Sequence, residues 1–395
     1  MLVASDADMV ATAYGDAKLD RVPGVEDTLT VVTLPLDKDQ PVVASLPVSN
    51  SVMSWPQIVA VSPDGQRAYV VEVRSRPADG VNELDTIDQM PAGQRLTVVD
   101  ISERERPKIL ESVEIGRNPE HISISPNGEF LAINSNEPGE ELIIIKLLDD
   151  GRVGERTAFP MELDGSRQDN QTALWHPSGN YLAVVQGRNR QLGFYRVQSS
   201  GDDNGGAIAL EPLESPITVG NHLSHPRFTR DGRFLLVPDL KWSLYKIPVL
   251  NFLLNQPGEM IAIQFEPEAE TPAKIVSRVE VGLSPEGFAL SPDNSLIATV
   301  NMRRTYLPGF IPAWRGKPYS SLSLVKLDPR TGQLDVVDEY GFEGLLPEQA
   351  TFDAAGNALA VVVFNDREPS PKTGTVEFWN VIKGNVPSLE RTVYE

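Results

Sequence analysis

Short apolar runs recur along the chain, each one following a tight polar turn. Ser62-Pro63-Asp64-Gly65 precedes Ala68–Val71, Ser125-Pro126-Asn127-Gly128 precedes Phe130–Ile133, and His176-Pro177-Ser178-Gly179 precedes Tyr181–Val184. Thr229-Arg230-Asp231-Gly232, Ser291-Pro292-Asp293-Asn294 and Asp353-Ala354-Ala355-Gly356 repeat the pattern ahead of Phe234, Leu296 and Ala358. The second turn residues stand at 63, 126, 177, 230, 292 and 354, a period of 51 to 63 residues. A fixed period of this length marks a repeat architecture. The N-terminal stretch Leu2–Ala4 followed by Ser5-Asp6-Ala7-Asp8 reads as a degenerate seventh copy, with Met1–Ser5 as the innermost strand of its unit.

Each unit reads as four strands. An apolar strand enters the turn, where Pro presets φ and Gly tolerates positive φ, and a second strand leaves it. The third strand is a β-branched or alternating run: Leu29–Leu34, Leu96–Ile101, Leu142–Leu147, Leu192–Val197, Leu244–Val249, Leu322–Leu327 and Val376–Val381. A fourth lies outside it, as at Ile109–Ile115 and Ile275–Val281. Seven units of four antiparallel strands predict an all-β fold, a seven-bladed β-propeller formed as one domain over residues 1–395. The terminal strand Leu389–Tyr394 falls at the outer edge of blade 7, so no strand is shared between the termini. A tandem array of β-sandwiches is the competing architecture, but two-sheet domains do not repeat one turn at this spacing.

The second strands end on Asn134, Asn301 and Asn365, and Leu96-Thr97-Val98-Val99-Asp100 gives a typical third strand. Strand, Ser-Pro-Asp-Gly turn, Asn-terminated strand and Thr-Val-x-Val-Asp strand together resemble the YVTN-repeat and lactonase-like seven-bladed propellers. The resemblance covers essentially the whole chain. It implies the propeller fold and a superfamily that includes 6-phosphogluconolactonase-like hydrolases, muconate cycloisomerases and secreted propellers without known chemistry. The cycloisomerase branch works with His, Glu and Arg in its channel. A Gly-Pro-Arg-His signature is not present; the nearest text is Asn221-His222-Leu223-Ser224-His225-Pro226-Arg227.

Composition narrows the chemistry. The net charge of −20, from 35 basic and 55 acidic residues, repels phosphate backbones and anionic membrane surfaces. Without cysteine there are no disulfides, thiolate metal sites or cysteine nucleophiles. Four histidines are too few for a multi-histidine centre alongside other roles, which leaves no transition metal expected, while calcium held by carboxylates stays open. No apolar run reaches the roughly 18 residues of a membrane helix. Met1 opens directly on strand pattern, which fits a cytoplasmic chain, or a periplasmic or secreted one whose leader has been removed.

Alignment on the turns identifies a ring of residues at the entrance of the innermost strands. It contains Glu120, Glu286 and Glu348, then His121, His225 and Gln349, and then Arg227. Histidine beside carboxylates can move protons near neutral pH, and arginine can clamp a carboxylate. His121, His225, Arg227 and Glu120 are therefore the candidate catalytic residues, with the imidazoles drawn towards the charged form by the acids around them. Glu286, Glu348 and Gln349 are candidate ligand contacts. The connection between second and third strands is long in blades 1, 2, 6 and 7 and short in blades 3, 4 and 5. In blade 6 it adds Arg303, Tyr306, Trp314 and Arg315, an interleaving of cations and rings suited to a small anionic or ring-bearing ligand. The insertion Asn251–Pro272 is placed between the third and fourth strands of blade 5, on the opposite rim. It bears Phe252-Leu253-Leu254 and an acidic run that suit a surface flap or a contact with a second copy. Three functions fit these features. One is a lactonase or cycloisomerase acting on a small organic acid or cyclic ester. The second is a non-catalytic propeller that binds a small ligand or a protein partner, and the third a periplasmic or cell-surface scaffold.

Overall fold

In the computed structural model of the chain, the recurring turns are one hydrogen-bonded device used six times. The first residue's carbonyl accepts the fourth residue's N–H at 2.8–3.0 Å, from Gly65, Gly128, Gly179, Gly232, Asn294 and Gly356. All six donors have φ between 59° and 78°, a region that glycine enters freely and asparagine tolerates. In four turns a hydroxyl joins both ends of the loop. Ser62, Ser125, Thr229 and Ser291 donate to the side chain two residues on at 2.5–2.6 Å. The same oxygens accept the N–H five residues on, from Arg67, Phe130, Phe234 and Leu296, at 2.9–3.1 Å. His176 substitutes its ring, with Nδ1 2.9 Å from Ser178 Oγ and the imidazole edge-on to Tyr181. In blade 7 the Asp353 carboxylate accepts the Ala358 N–H at 2.9 Å.

The structure describes residues 1–8, 13, 17–19, 24–34, 42–50, 57–81, 83–86, 89–163, 166–167, 172–186, 190–199, 208–242, 254–269, 271–307, 319–365 and 374–392. The fold is a seven-bladed β-propeller of small antiparallel sheets. Its blades fall into two compact units, one of Met1–Met9 and Leu19–Thr218, the other of Val10–Lys18 and Val219–Glu395.

The first unit holds blades 1 to 4. Blade 2 runs in the order Val59–Val61, Arg67–Val71, Arg95–Asp100, Lys108–Glu114, and blade 3 in the order His121–Ile124, Phe130–Asn134, Leu142–Leu147, Val153–Phe159. Blade 4 is Thr172–Trp175, Tyr181–Gln186, Gln191–Ser199 and Ile208–Pro212, with Ile217–Thr218 also on its third strand. Blade 1 departs from the expected pattern. Among the described residues it has three strands, and Leu2–Ser5 pairs directly with Thr28–Val32, which in turn pairs with Val43–Pro47. Leu2–Ser5 therefore stands where the other blades carry their second strand. The Ser5–Asp8 stretch is not a blade turn: Asp6 Oδ1 accepts the Asp8 N–H at 2.8 Å.

The second unit holds blades 5 to 7. Blade 5 is Arg227–Phe228, Phe234–Asp239, Pro257–Gln264 and Lys274–Leu283. Its third strand is thus Pro257–Gln264 and not Leu244–Val249, which lies outside the described residues. The connection from residue 240 to 256 accordingly joins the second and third strands, as in blades 6 and 7; of Asn251–Pro272 only the part after Gln264, with the acidic run from Glu266, lies between the third and fourth strands as expected. Blade 6 is Pro285–Leu290, Leu296–Asn301, Tyr319–Leu327 and Leu334–Glu343; blade 7 is Leu345–Phe352, Ala358–Asn365, Thr375–Ile382 and Ser388–Thr392.

In both units the strand entering the turn is the inner one, next to its counterpart in the following blade. The Ile122 N–H donates to the Gln57 carbonyl at 3.0 Å, Ser123 Oγ to the Ala173 carbonyl at 2.7 Å, and Ser224 Oγ to the Glu286 carbonyl at 2.5 Å. Cores form between blades. Tyr69, Val71 and Val98 of blade 2 pack on Ile122, Ile133 and Ile143 of blade 3, and Val300 and Leu322 of blade 6 pack on Leu359, Val361 and Trp379 of blade 7. Middle strands covered on both faces read as continuous apolar runs, which explains the runs in the sequence. Asn301, fully buried at the end of its strand, donates to Ser321 Oγ and Ser323 Oγ at 3.2 and 3.0 Å, which gives the strand-ending asparagine a structural role. Among the described residues no helix is long and apolar enough to cross a membrane.

Ser291 is buried and holds three turn bonds, so Ser291→Ala is expected to cost about 1–2 kcal/mol in urea unfolding. Burial raises the pKa of its partner Asp293, but the Ser291 and Ser295 hydrogen bonds outweigh this and hold the carboxyl below the ordinary aspartate range. A depressed folded pKa stabilises the native state above the unfolded value near 3.9 and ceases to do so as pH falls through the folded one. The wild-type advantage over Asp293→Ala is therefore expected to shrink in that acid window.

Candidate functional site

The entrances to three inner strands share one local device. Asn118, Ser284 and Leu346, each directly before a proline, have φ of 44°, 55° and 49°. A residue before proline is normally extended, and left-handed backbone is costly without glycine, so surrounding contacts must impose it. The Asn118 N–H donates to the Gly93 carbonyl at 2.8 Å. Ser284 Oγ accepts Asn255 Nδ2 at 2.7 Å and Trp242 Nε1 at 3.1 Å. The Leu346 N–H donates to Thr305 Oγ1 at 2.9 Å. Each corner leads through proline to a glutamate: Glu120, Glu286 and Glu348. In blades 6 and 7 the strand register also slips there, between Pro285 and Phe288 and between Pro347 and Gln349. Bulges of this kind re-aim side chains.

In the second unit these corners assemble a polar cluster. Gln349 Nε2 lies 2.8 Å from His225 Nε2, which joins blade 7 to blade 5 across blade 6. The contact exists because blade 6 presents Gly287 between them. A Cβ at Gly287 would fall 2.1 Å from the Glu348 carbonyl oxygen and 2.9 Å from Gln349 Oε1. The Ala350 N–H donates to Gln349 Oε1 at 3.0 Å, which orients the amide and turns its NH2 group to the imidazole. His225 Nε2 is then the acceptor, its proton sits on Nδ1, and Nδ1 faces Ser224 Oγ at 3.2 Å. The assignment of the Nδ1 proton rests on this network.

Phe288 carries the other side of the cluster. The His225 ring stacks on it at 6.3 Å and 14°, and the Arg227 guanidinium lies 5.7 Å from its centroid. Arg227 is half-buried, and among the described residues no carboxylate comes within ion-pair distance of it. Loss of water lowers its pKa from the usual value, yet a guanidinium stays charged. Glu286 is buried, and burial first, then the charge of Glu348, pushes its carboxyl well above the ordinary range.

The other sequence candidates lie elsewhere or serve other contacts. In the first unit, His121 is buried at the head of its strand, and Glu120 Oε1 accepts Asn136 Nδ2 at 2.6 Å. Arg303 is exposed, with φ 55°. Tyr306 is buried edge-on against Trp242 at 5.3 Å, its hydroxyl 3.1 Å from Asn255 Nδ2, and burial pushes its pKa up to about 12. Arg304 Nε donates to Asn255 Oδ1 at 3.0 Å, so the connections of blades 5 and 6 interlock. Trp314 and Arg315 lie outside the described residues. His222, packed on Trp242, is pushed down to about 4 by burial, partly offset by Asp239. The sequence reading did not include Ser224, Gly287 or Phe288 in the site. Their signal was slight: Ser224 and Gly287 stand on the aligned ring, but neither carries chemistry of its own.

No protein-family model matches the chain, and neither does any curated protein sequence. Solved structures do. A putative 6-phosphogluconolactonase of Bacteroides fragilis is 15% identical over 99% of this chain and 92% of its own, with a TM-score of 0.61. The periplasmic gluconolactonase PpgL of Pseudomonas aeruginosa is 16% identical over 100% and 96%, with a TM-score of 0.63. Hydrazine synthase of Kuenenia stuttgartiensis is 14% identical over 93% and 92%, with a TM-score of 0.54. At these identities the likeness is one of fold.

Gly287→Ala drives a methyl into the Glu348 backbone and is expected to cost about 1–3 kcal/mol. Two measurements check this: thermal unfolding, and the 15N chemical shifts of His225, which should lose their Nδ1-protonated signature. Unchanged shifts would show that the bridge does not depend on the missing side chain.

Proposed function

We propose that the chain acts on a small cyclic ester or organic acid, as a lactonase-type hydrolase or cycloisomerase without a transition metal, at the inner-strand entrances of blades 5 to 7. The observation that carries this reading is the buried Glu286 carboxyl, which burial first and then the neighbouring Glu348 push well above the ordinary range, so that the two acids suit unequal roles. Environments that separate two acids in this way assign acid and base. The lactonase descriptions of two structural neighbours favour the same reaction class, while the hydrazine synthase shows that the fold alone does not choose it.

In lactone hydrolysis, water adds to the carbonyl carbon, the bond from that carbon to the ring oxygen breaks, and the ring oxygen takes a proton. Glu348 receives the proton of the attacking water. Glu286 supplies one to the departing alkoxide. Moving one proton from Glu348 back to Glu286 resets the pair. Arg227 faces the negative charge that grows on the carbonyl oxygen, or holds a substrate carboxylate, and so restores to the guanidinium an anionic partner. His225, with Nε2 held by Gln349, positions the substrate instead of carrying the proton transfer.

Turnover should be assayed on a panel of lactones and muconate-type acids. Glu286→Gln and Arg227→Ala are each expected to lower kcat/KM about 10²–10⁴-fold. His225→Ala should do so chiefly by raising KM, and 1,10-phenanthroline should leave the rate unchanged. Because only protonated Glu286 donates, the rate should fall as pH rises through its titration. Absence of wild-type turnover across the panel, or full activity in the Glu286 and Arg227 variants, would defeat this reading in favour of a non-catalytic ligand-binding propeller.

A further inference from the structure

Blade 1 differs from the other blades at its inner edge. Leu2–Ser5 holds the second position of that blade, and among the described residues no strand pairs with it on the inner side. The register fixes where its backbone groups point. The Met1 ammonium donates to the Val32 carbonyl at 2.8 Å and the Val32 N–H to the Met1 carbonyl at 2.9 Å, so Met1 and Val32 form a hydrogen-bonded pair. Such pairs alternate along antiparallel strands. Val3 and Ser5 therefore bond to Thr28–Val32, while the N–H and C=O groups of Leu2 and Ala4 point to the opposite edge. Among the described residues nothing meets them there.

Blade 2 shows what the same position does when an inner strand is present. Leu29-Thr30-Val31-Val32 repeats Leu96-Thr97-Val98-Val99. Leu2 and Ala4, opposite Val31 and Leu29, thus correspond to Tyr69 and Val71, opposite Val98 and Leu96. In blade 2 the Val71 N–H donates to the Ile58 carbonyl at 3.1 Å, and Tyr69 lies opposite Ala60. Burial differs accordingly. The second strands of blades 4, 5 and 6 are buried at every residue, whereas Leu2, Val3 and Ala4 are half-buried and Ser5 is exposed. The strand is nevertheless held in place. Leu2 packs against the core that contains Leu29, Val31 and Val70, Ala4 against the one that contains Ile58, Ala60 and Val71, and Asn50 Nδ2 donates to the Ser5 carbonyl at 3.2 Å. An ordered strand with an unpaired edge is a template for a further strand.

We propose that the inner edge of blade 1 is a strand-acceptor site, at which Leu2 and Ala4 bind an extended peptide of a partner polypeptide running antiparallel to Leu2–Ser5. Main-chain bonds of this kind give affinity, and the side chains beside them give selectivity. The inner strands of the neighbouring blades define the chemistry that fits. Val59–Val61, Ile122–Ile124 and Thr172–Leu174 carry no charge and no proline, and most of their residues are small or β-branched. The peptide is accordingly uncharged and apolar along this stretch, with an N–H available opposite Leu2. Charge disfavours a second copy as the occupant, because each copy carries −20 and two repel. The site lies in the first unit and does not rest on the catalytic reading.

The probe is a synthetic peptide with the sequence of Gln57–Gln66, added to the full chain. Binding is followed by fluorescence anisotropy of the labelled peptide and by amide hydrogen exchange of the protein. The expected result is saturable binding of one peptide per chain. The Leu2 and Ala4 amides should exchange freely in the unbound chain, and saturating peptide should slow both on the order of tenfold or more. The same peptide carrying proline in place of Ala60 lacks the donor that faces Leu2 and should bind about tenfold more weakly. In the protein, Ala4→Pro removes an N–H that the blade itself does not use, so this variant should unfold close to the wild type yet lose the peptide. Absence of binding, or binding undiminished by the proline in the peptide, would overturn the proposal. So would Leu2 and Ala4 amides already protected in the unbound chain, which would show that the chain covers its own edge. A dimer that the peptide dissociates would also overturn it and assign the edge to a second copy.

Discussion

The polar turn that reverses each blade is the constraint on which the rest of the structure depends. Its fourth residue must adopt positive φ, and its first anchors the loop through a hydroxyl, an imidazole or a carboxylate. Once that is satisfied, the register of the inner strand against the second strand follows, and a slip of one residue would turn every side chain to the wrong face. The residues that enter the inner strands are therefore delivered to equivalent positions in successive blades. His121, His225, Gly287 and Gln349 share one such position.

On that regular frame the structure spends conformational energy at a few places. Left-handed residues before proline recur at Asn118, Ser284 and Leu346, and the register slips beside two of them. Each is over-determined by buried hydrogen bonds, as in the convergence of Trp242 and Asn255 on Ser284. Strain concentrated at matching corners that all lead to a glutamate is the arrangement expected when a side chain must be aimed. The glutamates so aimed are not equivalent. Glu286 is taken from water and placed under the charge of Glu348, while Glu120 is tied to the amide of Asn136.

Gly287 shows how an absent side chain can organise a site. Inner strands two blades apart would ordinarily be separated by the side chain of the strand between them. Here the His225 imidazole and the Gln349 amide meet over bare backbone, and the amide's orientation decides the tautomer.

The turn motif, the apolar runs and their period were sufficient to determine the propeller, most strand positions and the set of residues at the inner-strand entrances. These are local properties, written in contiguous residues whose backbone preferences act before any long-range contact forms. Tertiary structure alone decided three things. Leu244–Val249 and Met260–Ile263 both carry strand pattern, and only pairing with Phe234–Asp239 selected Pro257–Gln264 as the third strand of blade 5. Leu2–Ser5 resembles an inner strand, yet its partner Thr28–Val32 puts it in the second position. The states of Glu286 and His225 depend on burial and on neighbours more than sixty residues away in sequence, Glu348, Gln349 and the carbonyl of Glu286 itself. Pairing partners and local dielectric are set by what the folded chain brings together, and no run of adjacent residues encodes them.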